Sequence, residues 1–379
     1  MADFRVLILG GGAGGISLAA RLRRRLGAGA VGIVEPSTHH YYQPLWTLVG
    51  AGVVSKEVTR RTQASVTPAG VEWISERAIK VDPVGKSVMT ASGKAVTYES
   101  LVVATGLRLD FEKISGLAGN LGRNGISSIY EYEGAEKTAQ MLEGFRGGRA
   151  IFTMPPVPIK CAGAPQKILY LAEEIFRRNG VREKTQIAFH TAGKVIFGVP
   201  EFARALTKVA ERKNIQVHYG HRLVSVDSAS RKAVFATESG EQTVDYDYLH
   251  VVPPMSATPL IQDSGLAWTE GPHAGWLEVD PHTLQHRRYP SVFGIGDVTG
   301  IPNSKTAAAI RKQAPIVAQN LLTWLNGQGA SVQYDGYSSC PLITQRGKVI
   351  LAEFGYDGKL LPTFPGDATR ERRTMWWLK

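Results

Sequence analysis

Cysteine is rare in this sequence, which has only two in 379 residues, Cys161 and Cys340. Two cysteines permit no more than one intramolecular disulfide. A purely structural bridge would be unusual in the reducing cytosol, so a redox role is the better explanation if the two residues pair.

Long apolar runs are also missing, because no stretch approaches the roughly 18 to 20 residues that a membrane-spanning helix needs. The first residues, "MADFRVLILGGG", have the composition of a strand and a turn. A secretory signal would instead place basic residues before an apolar stretch. We therefore expect no signal peptide and no membrane-spanning segment. Repeats and low-complexity segments are absent as well, which is typical of an ordinary folded protein.

Acidic residues are outnumbered, with 33 Asp and Glu against 44 Lys and Arg, for a formal net charge of +11. This balance favours anionic partners, such as an anionic membrane surface or an anionic substrate. No motif that reads RNA or DNA accompanies the arginines, so we expect no nucleic-acid partner. A solvated basic face is the alternative interpretation of any single cluster.

The first 35 residues predict a strand, a glycine turn and a helix. "FRVLIL" (4–9) is typical of a buried parallel strand, and "ISLAARLRRRL" (16–26) repeats apolar residues at helical spacing. Between them, Gly10, Gly12 and Gly15 form G-x-G-x-x-G, which lets the backbone approach a pyrophosphate at a helix N-terminus. "VGIVE" (31–35) predicts the second strand and ends in Glu35, where an acid binds ribose hydroxyls.

Two later strands resemble the remaining fingerprints of the flavoprotein disulfide reductase superfamily. They are "ESLVVATG" (99–106) and "YPSVFGIGD" (289–297). The resemblance implies FAD, with the backbone of the first turn on the pyrophosphate, an acid on the adenosine ribose and a second acid on the ribityl chain. The implied contacts beyond the three fingerprint glycines are Ala13, Gly14, Glu35, Thr105, Gly106 and Asp297.

The predicted fold class is α/β, with two Rossmann-like dinucleotide-binding domains and a C-terminal region. The FAD-binding domain is expected at 1–110 plus 290–329, the second domain at 111–289 and the C-terminal region at 330–379. In the second domain the strand "TQIAFHT" (185–191) is followed by "AGKVIFGVPEF". This segment lacks the glycines of a nicotinamide fingerprint, so we expect no NADH or NADPH binding.

Cys161 follows a proline-rich loop and precedes the amphipathic segment "PQKILYLAEEIFRRN" (165–179). The positive end of this helix, together with Lys160, would lower the pKa of Cys161 and favour the nucleophilic thiolate. A small buried cysteine that fills a gap is the alternative. Cys340 precedes Pro341, which favours an extended conformation, and "QRGK" (345–348) predicts a turn between two strands.

Several segments together resemble the sulfide:quinone oxidoreductase family, in particular its mitochondrial type. They are "IKCAGAPQKILYLAEEIF", "YDGYSSCPLIT", "VILAEF", "EPSTHHYYQPLWTLVGAG", "LQHRRYPSVFGIGD" and "SKTAAA". The resemblance implies a catalytic disulfide or sulfur-bridged pair at Cys161 and Cys340. It also implies FAD contacts at Gln43, Ala78 and Lys305. A third cysteine found in other branches of the family is absent, which favours two-cysteine chemistry.

The family resemblance also implies the activity. Hydrogen sulfide would be oxidised to sulfane sulfur through a persulfide on Cys340, and non-covalent FAD would be reduced. Two electrons would then pass to ubiquinone or another membrane quinone. Sulfite, a thiol, cyanide or a second sulfide would accept the sulfur.

Three alternatives stay open: the flavin subunit of flavocytochrome c, a type II NADH dehydrogenase and a non-enzymatic flavin-binding scaffold. The first would have an export signal and a flavin-attaching cysteine near the second strand, and the second would have the missing glycine motif. The histidines offer no metal-ligand pattern, so we predict no metal site.

The C-terminal stretch "TRERRTMWWLK" (369–379) combines arginines with Met375, Trp376, Trp377 and Leu378. This composition is typical of a segment that lies in the plane of a membrane interface. We expect a peripheral membrane protein, on the inner (cytoplasmic) membrane in a bacterium, with 330–379 as its membrane and quinone interface.

Overall fold

The computed structural model describes residues 2–377, in which strands and helices alternate along the chain. The strands are β1 Phe4–Leu9, β2 Val31–Val34, β3 His39–Tyr41, β4 Arg60–Thr62, β5 Glu72–Ile74, β6 Ala78–Asp82, β7 Ser87–Thr90, β8 Ala95–Val103, β9 Arg108–Leu109, β10 Ile126–Ser127, β11 Gly148–Met154, β12 Thr185–Thr191, β13 Ile215–Tyr219, β14 Arg222–Asp227, β15 Lys232–Thr237, β16 Gly240–Asp245, β17 Tyr248–His250, β18 Met255–Ser256, β19 Val292–Gly294, β20 Ser338–Gln345 and β21 Lys348–Phe354. The helices are α1 Ala13–Leu26, α2 Trp46–Gly50, α3 Gln63–Val66, α4 Tyr132–Gly144, α5 Ala164–Arg178, α6 Pro200–Arg212, α7 Pro259–Asp263, α8 Ala307–Leu325 and α9 Thr374–Trp377.

The chain forms two compact units. Unit 1 contains Met1–Tyr41, Arg60–Arg108 and Ser256–Ser338, and unit 2 contains Tyr42–Thr59, Leu109–Met255 and Ser339–Lys379. The predicted domain boundaries, with their functional assignments, stay predictions.

Unit 1 is built on a sheet in the order β5-β2-β1-β8-β7-β6, with β19 also paired to β8. The strands β5, β2, β1, β8 and β19 run parallel, whereas β6 and β7 are antiparallel. The apolar side chains of β1 and β2 are almost fully buried, as expected of a parallel sheet covered on both faces. Helix α1 packs against α8, which begins where the Thr306 hydroxyl accepts a hydrogen bond from the Ala309 N–H.

Unit 2 contains a second parallel sheet in the order β10-β17-β11-β12-β13. β11 lies in the middle of this sheet, and α5 and α6 connect β11, β12 and β13 in turn. An antiparallel sheet, β14-β15-β16, shares a buried apolar cluster with β10, β11 and β17. The last strands, β20 and β21, form the antiparallel pair that "QRGK" predicted.

Unit 2 also encloses a charged cluster around Glu173, whose side chain is 1% exposed. Its carboxylate accepts hydrogen bonds from Lys213 Nζ at 2.5 Å and from Arg177 Nη2 at 2.5 Å. Arg182 Nε lies 3.5 Å away as a third cation. Since Lys213 and Arg182 are themselves only 9% exposed, removal of the carboxylate would leave buried positive charge without its counter-ion.

The α/β fold class with Rossmann-like parallel sheets is confirmed. Within residues 2–377, none of the helices combines the length and the apolar character that crossing a bilayer requires.

Candidate functional site

The three fingerprints of unit 1 meet at one edge of its sheet. Leu9 of β1 pairs with Val103 of β8, which in turn pairs with Gly294 of β19. Because these strands are parallel and in register, the turns that follow them emerge together at their carboxyl ends. This edge is where open α/β sheets bind their ligands.

The first turn uses its glycines in three different ways. Gly10 has φ +106°, and a Cβ there would lie 2.4 Å from the Ala104 carbonyl oxygen. A Cβ on Gly15 would lie 1.9 Å from the Gly10 carbonyl oxygen, so the absence of a side chain lets α1 approach the turn. A Cβ on Gly12 would meet nothing within 4 Å, which leaves the backbone open at the start of α1. These roles match those of a dinucleotide-binding turn.

Glu35 lies beside this turn, at the end of β2. Its Oε2 accepts a hydrogen bond from Gly11 N–H at 2.8 Å, and its Oε1 accepts one from Ser37 N–H at 2.8 Å. A carboxylate has about four lone-pair sites, so further acceptor capacity is left for ribose hydroxyls.

A buried lysine, Lys305, contacts the turn of the third fingerprint. Lys305 Nζ donates hydrogen bonds to the carbonyl oxygens of Asp297 at 2.7 Å and Thr299 at 2.8 Å, and it lies 4.0 Å from the Trp276 ring centre. Burial lowers the pKa of Lys305 to about 8, although Asp297 acts in the opposite direction. Lys305 therefore stabilises the turn that carries Asp297.

A second support of this turn is Gln313, on α8. Its Oε1 accepts a hydrogen bond from Gly296 N–H at 2.9 Å, whereas within residues 2–377 its buried Nε2 has no hydrogen-bond partner of normal geometry. An unsatisfied buried donor beside the third fingerprint, together with the open Gly12, fits a polar dinucleotide at this edge.

The other predicted FAD contacts fall in different places. Ala13 and Gly14 begin α1, and Thr105 and Gly106 lie two and three residues beyond the end of β8. Ala78 begins β6, an edge strand of the same sheet. Gln43 belongs to unit 2, where its Oε1 accepts a hydrogen bond from Lys160 Nζ at 2.7 Å. Their contacts with FAD stay predictions.

The two cysteines come together in unit 2, although 179 residues separate them. Cys161 lies in the loop after β11 with φ +50°, and Cys340 lies in β20. Their Sγ atoms are 3.8 Å apart, so no S–S bond joins them in this structure. Cys340 is buried, whereas Cys161 is partly exposed. Cys340 is therefore the less accessible residue of the pair.

The cysteine loop ends where α5 begins, as the sequence predicted. Gly163 is the N-cap of α5, and the Ala164 N–H donates a hydrogen bond to the Cys161 carbonyl oxygen at 2.7 Å. A Cβ on Gly163 would lie only 2.4 Å from Cys340 Sγ. Glycine is thus needed here because the sulfur of Cys340 occupies the space of a side chain.

A buried lysine, Lys167, contacts the cysteine pair. It is 3% exposed, and its Nζ lies 3.2 Å from Cys161 Sγ. Burial disfavours the ammonium form, but negative charge on the two cysteines, and hydrogen bonds to them, outweigh burial and raise the pKa of Lys167 above its ordinary value. Lys167 therefore supplies a positive charge beside the sulfur.

The sequence favours a different lysine, Lys160, for this role because it is adjacent to Cys161. Lys160 Nζ donates a hydrogen bond to Gln43, and it lies over the rings of Trp46 and Tyr130 at 5.3 and 5.6 Å from their centres. The sequence feature that indicates Lys167 is a lysine next to the apolar residues of α5, six residues beyond Cys161.

Tyr130 is a further residue that the sequence analysis missed. Its hydroxyl donates a weak hydrogen bond to the Cys161 carbonyl oxygen at 3.5 Å. Burial raises the pKa of Tyr130 well above its ordinary value, and negative charge on Cys161 and Cys340 acts in the same direction. Tyr130 therefore stays a neutral phenol beside the pair.

The structure corrects the place where a nicotinamide fingerprint was sought. In the sheet order of unit 2, the strand that corresponds to the first strand of a Rossmann domain is β11, not β12 (Thr185–Thr191). The turn after β11 is "PPVPIKCAG", which lacks G-x-G-x-x-G. Both segments lack the glycines, and the loop of Cys161 takes the place of a pyrophosphate-binding turn.

Three histidines cluster in unit 2, at the ends of β12 and β13. His190 Nδ1 lies 3.1 Å from His221 Nδ1, and the His190 ring stacks on His218 at 4.4 Å. Burial lowers the pKa of His190 to about 3, and the neighbouring histidines act in the same direction. Among residues 2–377, no group of three or more His, Cys, Asp or Glu side chains has the arrangement of a metal site.

Comparisons with known proteins point to one family. The family model described as pyridine nucleotide-disulphide oxidoreductase matches residues 4–142. The mitochondrial sulfide:quinone oxidoreductase of Mus musculus is 46% identical over 379 residues, which cover 99% of this chain and 83% of the mouse protein.

Solved structures share the fold at lower identity. The X-ray structure of sulfide:quinone oxidoreductase from Aquifex aeolicus superimposes with a TM-score of 0.81 at 20% identity, covering 99% of this chain and 88% of that one. A chain in the cryo-EM structure of the Tetrahymena thermophila mitochondrial ATP synthase gives a TM-score of 0.86 at 21% identity, covering 100% and 92%. Since such different proteins share the fold, the full-length sequence identity identifies the family: the chain belongs to the sulfide:quinone oxidoreductases.

Proposed function

We propose that this protein oxidises hydrogen sulfide at Cys161 and Cys340 and passes the electrons through FAD to a quinone. The observation that supports this proposal best is the pair of sulfurs 3.8 Å apart with the Lys167 ammonium 3.2 Å from one of them. A structural cysteine pair has no need of a buried cation, whereas a thiolate leaving group does.

The chemistry at the cysteines conserves atoms and electrons. With the pair oxidised to a disulfide, hydrosulfide attacks Cys340 Sγ, a new S–S bond forms there, and the bond to Cys161 breaks. Cys340 then carries a persulfide, and Cys161 leaves as a thiolate with the electron pair. A second nucleophile, such as sulfite, a thiol, cyanide or sulfide, removes the outer sulfur from Cys340. Two electrons must then leave the dithiol pair so that the disulfide can form again.

Lys167 has a defined role in this scheme. The thiolate of Cys161 is the leaving group, and a lower leaving-group pKa speeds thiol–disulfide exchange. An ammonium at hydrogen-bond distance stabilises the thiolate over the thiol by a charge-assisted contact. Lys167 thus promotes release of Cys161 from the bridge and holds it ionised.

FAD, when bound, supplies the two-electron acceptor that links the thiolate to the quinone. Gly12, Ala13 and Gly14 would face its pyrophosphate, Glu35 its adenosine ribose, and Asp297 its ribityl chain. Lys305 and Gln313 hold the Asp297 turn in place through main-chain contacts. No cysteine is present near β2 for a covalent link, so the flavin is released by acid or heat.

Anaerobic spectroscopy of the purified protein tests the proposal. Sulfide should bleach the bound flavin, and a quinone should restore its absorbance. NADH should not bleach the flavin at a comparable rate, because both candidate turns of unit 2 lack the nicotinamide fingerprint. Rapid bleaching by NADH without any response to sulfide would overturn the proposal in favour of an NADH dehydrogenase.

Cysteine variants test the two assigned roles. Cys161→Ser and Cys340→Ser should both abolish sulfide oxidation and keep FAD, because a hydroxyl neither forms the bridge nor carries sulfane sulfur. Cys340→Ser retains the thiol beside Lys167 and can still show a long-wavelength charge-transfer band, which Cys161→Ser should lack. Normal turnover in either variant would refute this mechanism.

The protein would act at a membrane surface, because its quinone acceptor is dissolved in the bilayer. Trp377 at the end of α9 is 86% exposed, and Phe364 is 39% exposed, in a region that also carries the exposed Arg370 and Arg373. Apolar side chains beside arginines suit an anionic interface. Met375 was expected to join them, but it is buried and packs near β21, and Leu378 lies outside the described residues.

Vesicle sedimentation tests the membrane contact. Retention on anionic vesicles should fall as salt rises, and Trp377→Ser should lower it further. Val84→Ser removes an apolar side chain that is 79% exposed in unit 1 and serves as the control. Equal retention of the Trp377 variant and the parent protein would exclude α9 as the contact.

A further inference from the structure

The glycine turn of unit 1 has an unusual freedom. Gly10, Gly11 and Gly12 follow one another, and glycine loses more conformational freedom on folding than any other residue. The central peptide group could rotate at little steric cost, and rotation would change the path from β1 into α1. A dinucleotide-binding turn needs a fixed path, because its main-chain N–H groups must point at the phosphates.

Both polar atoms of Gly11 are held by side chains from one segment. The Gly11 N–H donates to Glu35 Oε2 at 2.8 Å, and His40 Nδ1 lies 3.2 Å from the Gly11 carbonyl oxygen. A carbonyl oxygen only accepts, so His40 Nδ1 must be the donor. A Cβ on Gly11 would lie 2.5 Å from Gln63 Nε2, which shows that a third side chain closes the remaining side.

His40 is fixed in its turn by regular structure. It is the central residue of β3, which pairs with β4, and it lies opposite Arg61. Its neighbour His39 instead lies 3.1 Å from Thr38 Oγ1. Only one of the two adjacent histidines contacts the glycine turn, although the sequence "THHYY" does not distinguish them.

We propose that His40 is a positioning residue of the dinucleotide site, which locks the Gly11 peptide by donating a hydrogen bond from Nδ1 to its carbonyl oxygen. This inference rests on the proposed binding of FAD at the glycine turn. His40 and Glu35 act as a pair, because one fixes the carbonyl and the other fixes the N–H of the same residue. Nδ1 carries its proton in one neutral tautomer and in the imidazolium, so the contact does not require a particular charge.

The position of the donor atom gives the proposal a sharp test. Nδ1 of histidine and Nδ2 of asparagine are both attached to Cγ, whereas Nε2 of glutamine lies one bond farther out, as Nε2 of histidine does. His40→Asn should therefore keep the hydrogen bond. His40→Gln and His40→Leu should lose it, which should raise the FAD dissociation constant about three- to tenfold.

The measurement is release of FAD from the full-length holoprotein on dilution, followed by the rise of flavin fluorescence. His39→Asn is the matched control and should bind FAD as the parent protein does. His40→Asn should stay within about twofold of the parent, the uncertainty of one weak contact. If His40→Leu does not fold, the comparison of the Asn and Gln variants still decides.

Two results would overturn the inference: His40→Gln and His40→Leu that bind FAD like the parent, or His40→Asn that is as weak as His40→Gln. A parent protein that binds no FAD would instead overturn the proposed function. The two failures are therefore distinguishable.

Discussion

Gly163→Ala is the smallest change that should separate the two cysteine sulfurs from their working geometry. The added Cβ would lie 2.4 Å from Cys340 Sγ and 2.6 Å from Leu342 Cδ2. Non-bonded carbon contacts are optimal at about 3.5 to 4.0 Å, so the sulfur must retreat by about 1 Å or more. The backbone of Gly163 has φ −85° and ψ −12°, which alanine adopts without strain. The perturbation therefore acts through the side chain alone.

The expected effect is large on catalysis and moderate on stability. A misplacement of about 1 Å can cost about 100-fold in rate, and we expect a loss of this size in sulfide-dependent flavin bleaching. Overpacking of this kind costs about 1 to 3 kcal/mol of unfolding free energy. FAD content should not change, because the glycine turn, Glu35 and Asp297 lie in unit 1.

Stopped-flow bleaching under anaerobic conditions measures the rate, and alkylation of free thiols before mass analysis shows how much of the bridge forms. Gly198→Ala is the control, since a Cβ there meets nothing within 4 Å and its φ is not positive. A Gly163→Ala protein with the parent's rate and a normal yield of bridge would refute the idea that the Cys161–Cys340 separation controls the reaction. An equal loss in Gly198→Ala would refute it as well.

Three further predictions concern other parts of the protein. Gly12→Ala should fold normally and bind FAD weakly, whereas Gly15→Ala should unfold at lower temperature because its Cβ would lie 1.9 Å from a carbonyl oxygen; thermal unfolding and flavin content separate the two. Lys167→Met should slow sulfide-dependent bleaching and shift alkylation of the Cys161 thiol to higher pH, while Lys167→Arg should partly rescue both. Burial alone would raise the pKa of Glu173, but hydrogen bonds and charges from Lys213 and Arg177 outweigh burial and lower it. The stability that ionised Glu173 gives the fold is therefore present above the ordinary pKa of 4.5 and is lost as the pH falls through the lowered pKa. Glu173→Gln should flatten this part of the profile of unfolding free energy against pH and should cost about 3 kcal/mol or more at pH 7.

Local features of the fold were predictable because neighbouring residues determine them. The apolar run of β1, the glycine turn and the amphipathic α1 lie within the first 26 residues. The strand at 185–191 and the start of α5 after the proline-rich loop were predicted for the same reason. Each of these elements is defined by periodicity or by glycine and proline, which act over a few residues.

The partners of the cysteines were not predictable in this way. The contact of Gly163 with Cys340 joins two places 177 residues apart in sequence, and it exists only because β20 folds back onto the start of α5. Lys160 is favoured by the sequence because it is adjacent to Cys161, whereas Lys167 lies about one helical turn beyond the N-cap Gly163 and its side chain reaches back to the Cys161 sulfur. A single sequence holds no record of such distances.

The order of strands explains why the cysteine loop is where it is. A sheet ordered β10-β17-β11-β12-β13 reverses its direction of winding between β11 and β17, and ligands bind open sheets at such a switch point. In a nucleotide-binding domain a glycine turn there presents a helix N-terminus to phosphate. Here the turn after β11 presents the N-terminus of α5 two residues beyond Cys161, and Lys167 in the second turn adds a full charge. The same electrostatic feature that would bind a pyrophosphate can therefore stabilise a thiolate at Cys161, the residue that we propose as the leaving group.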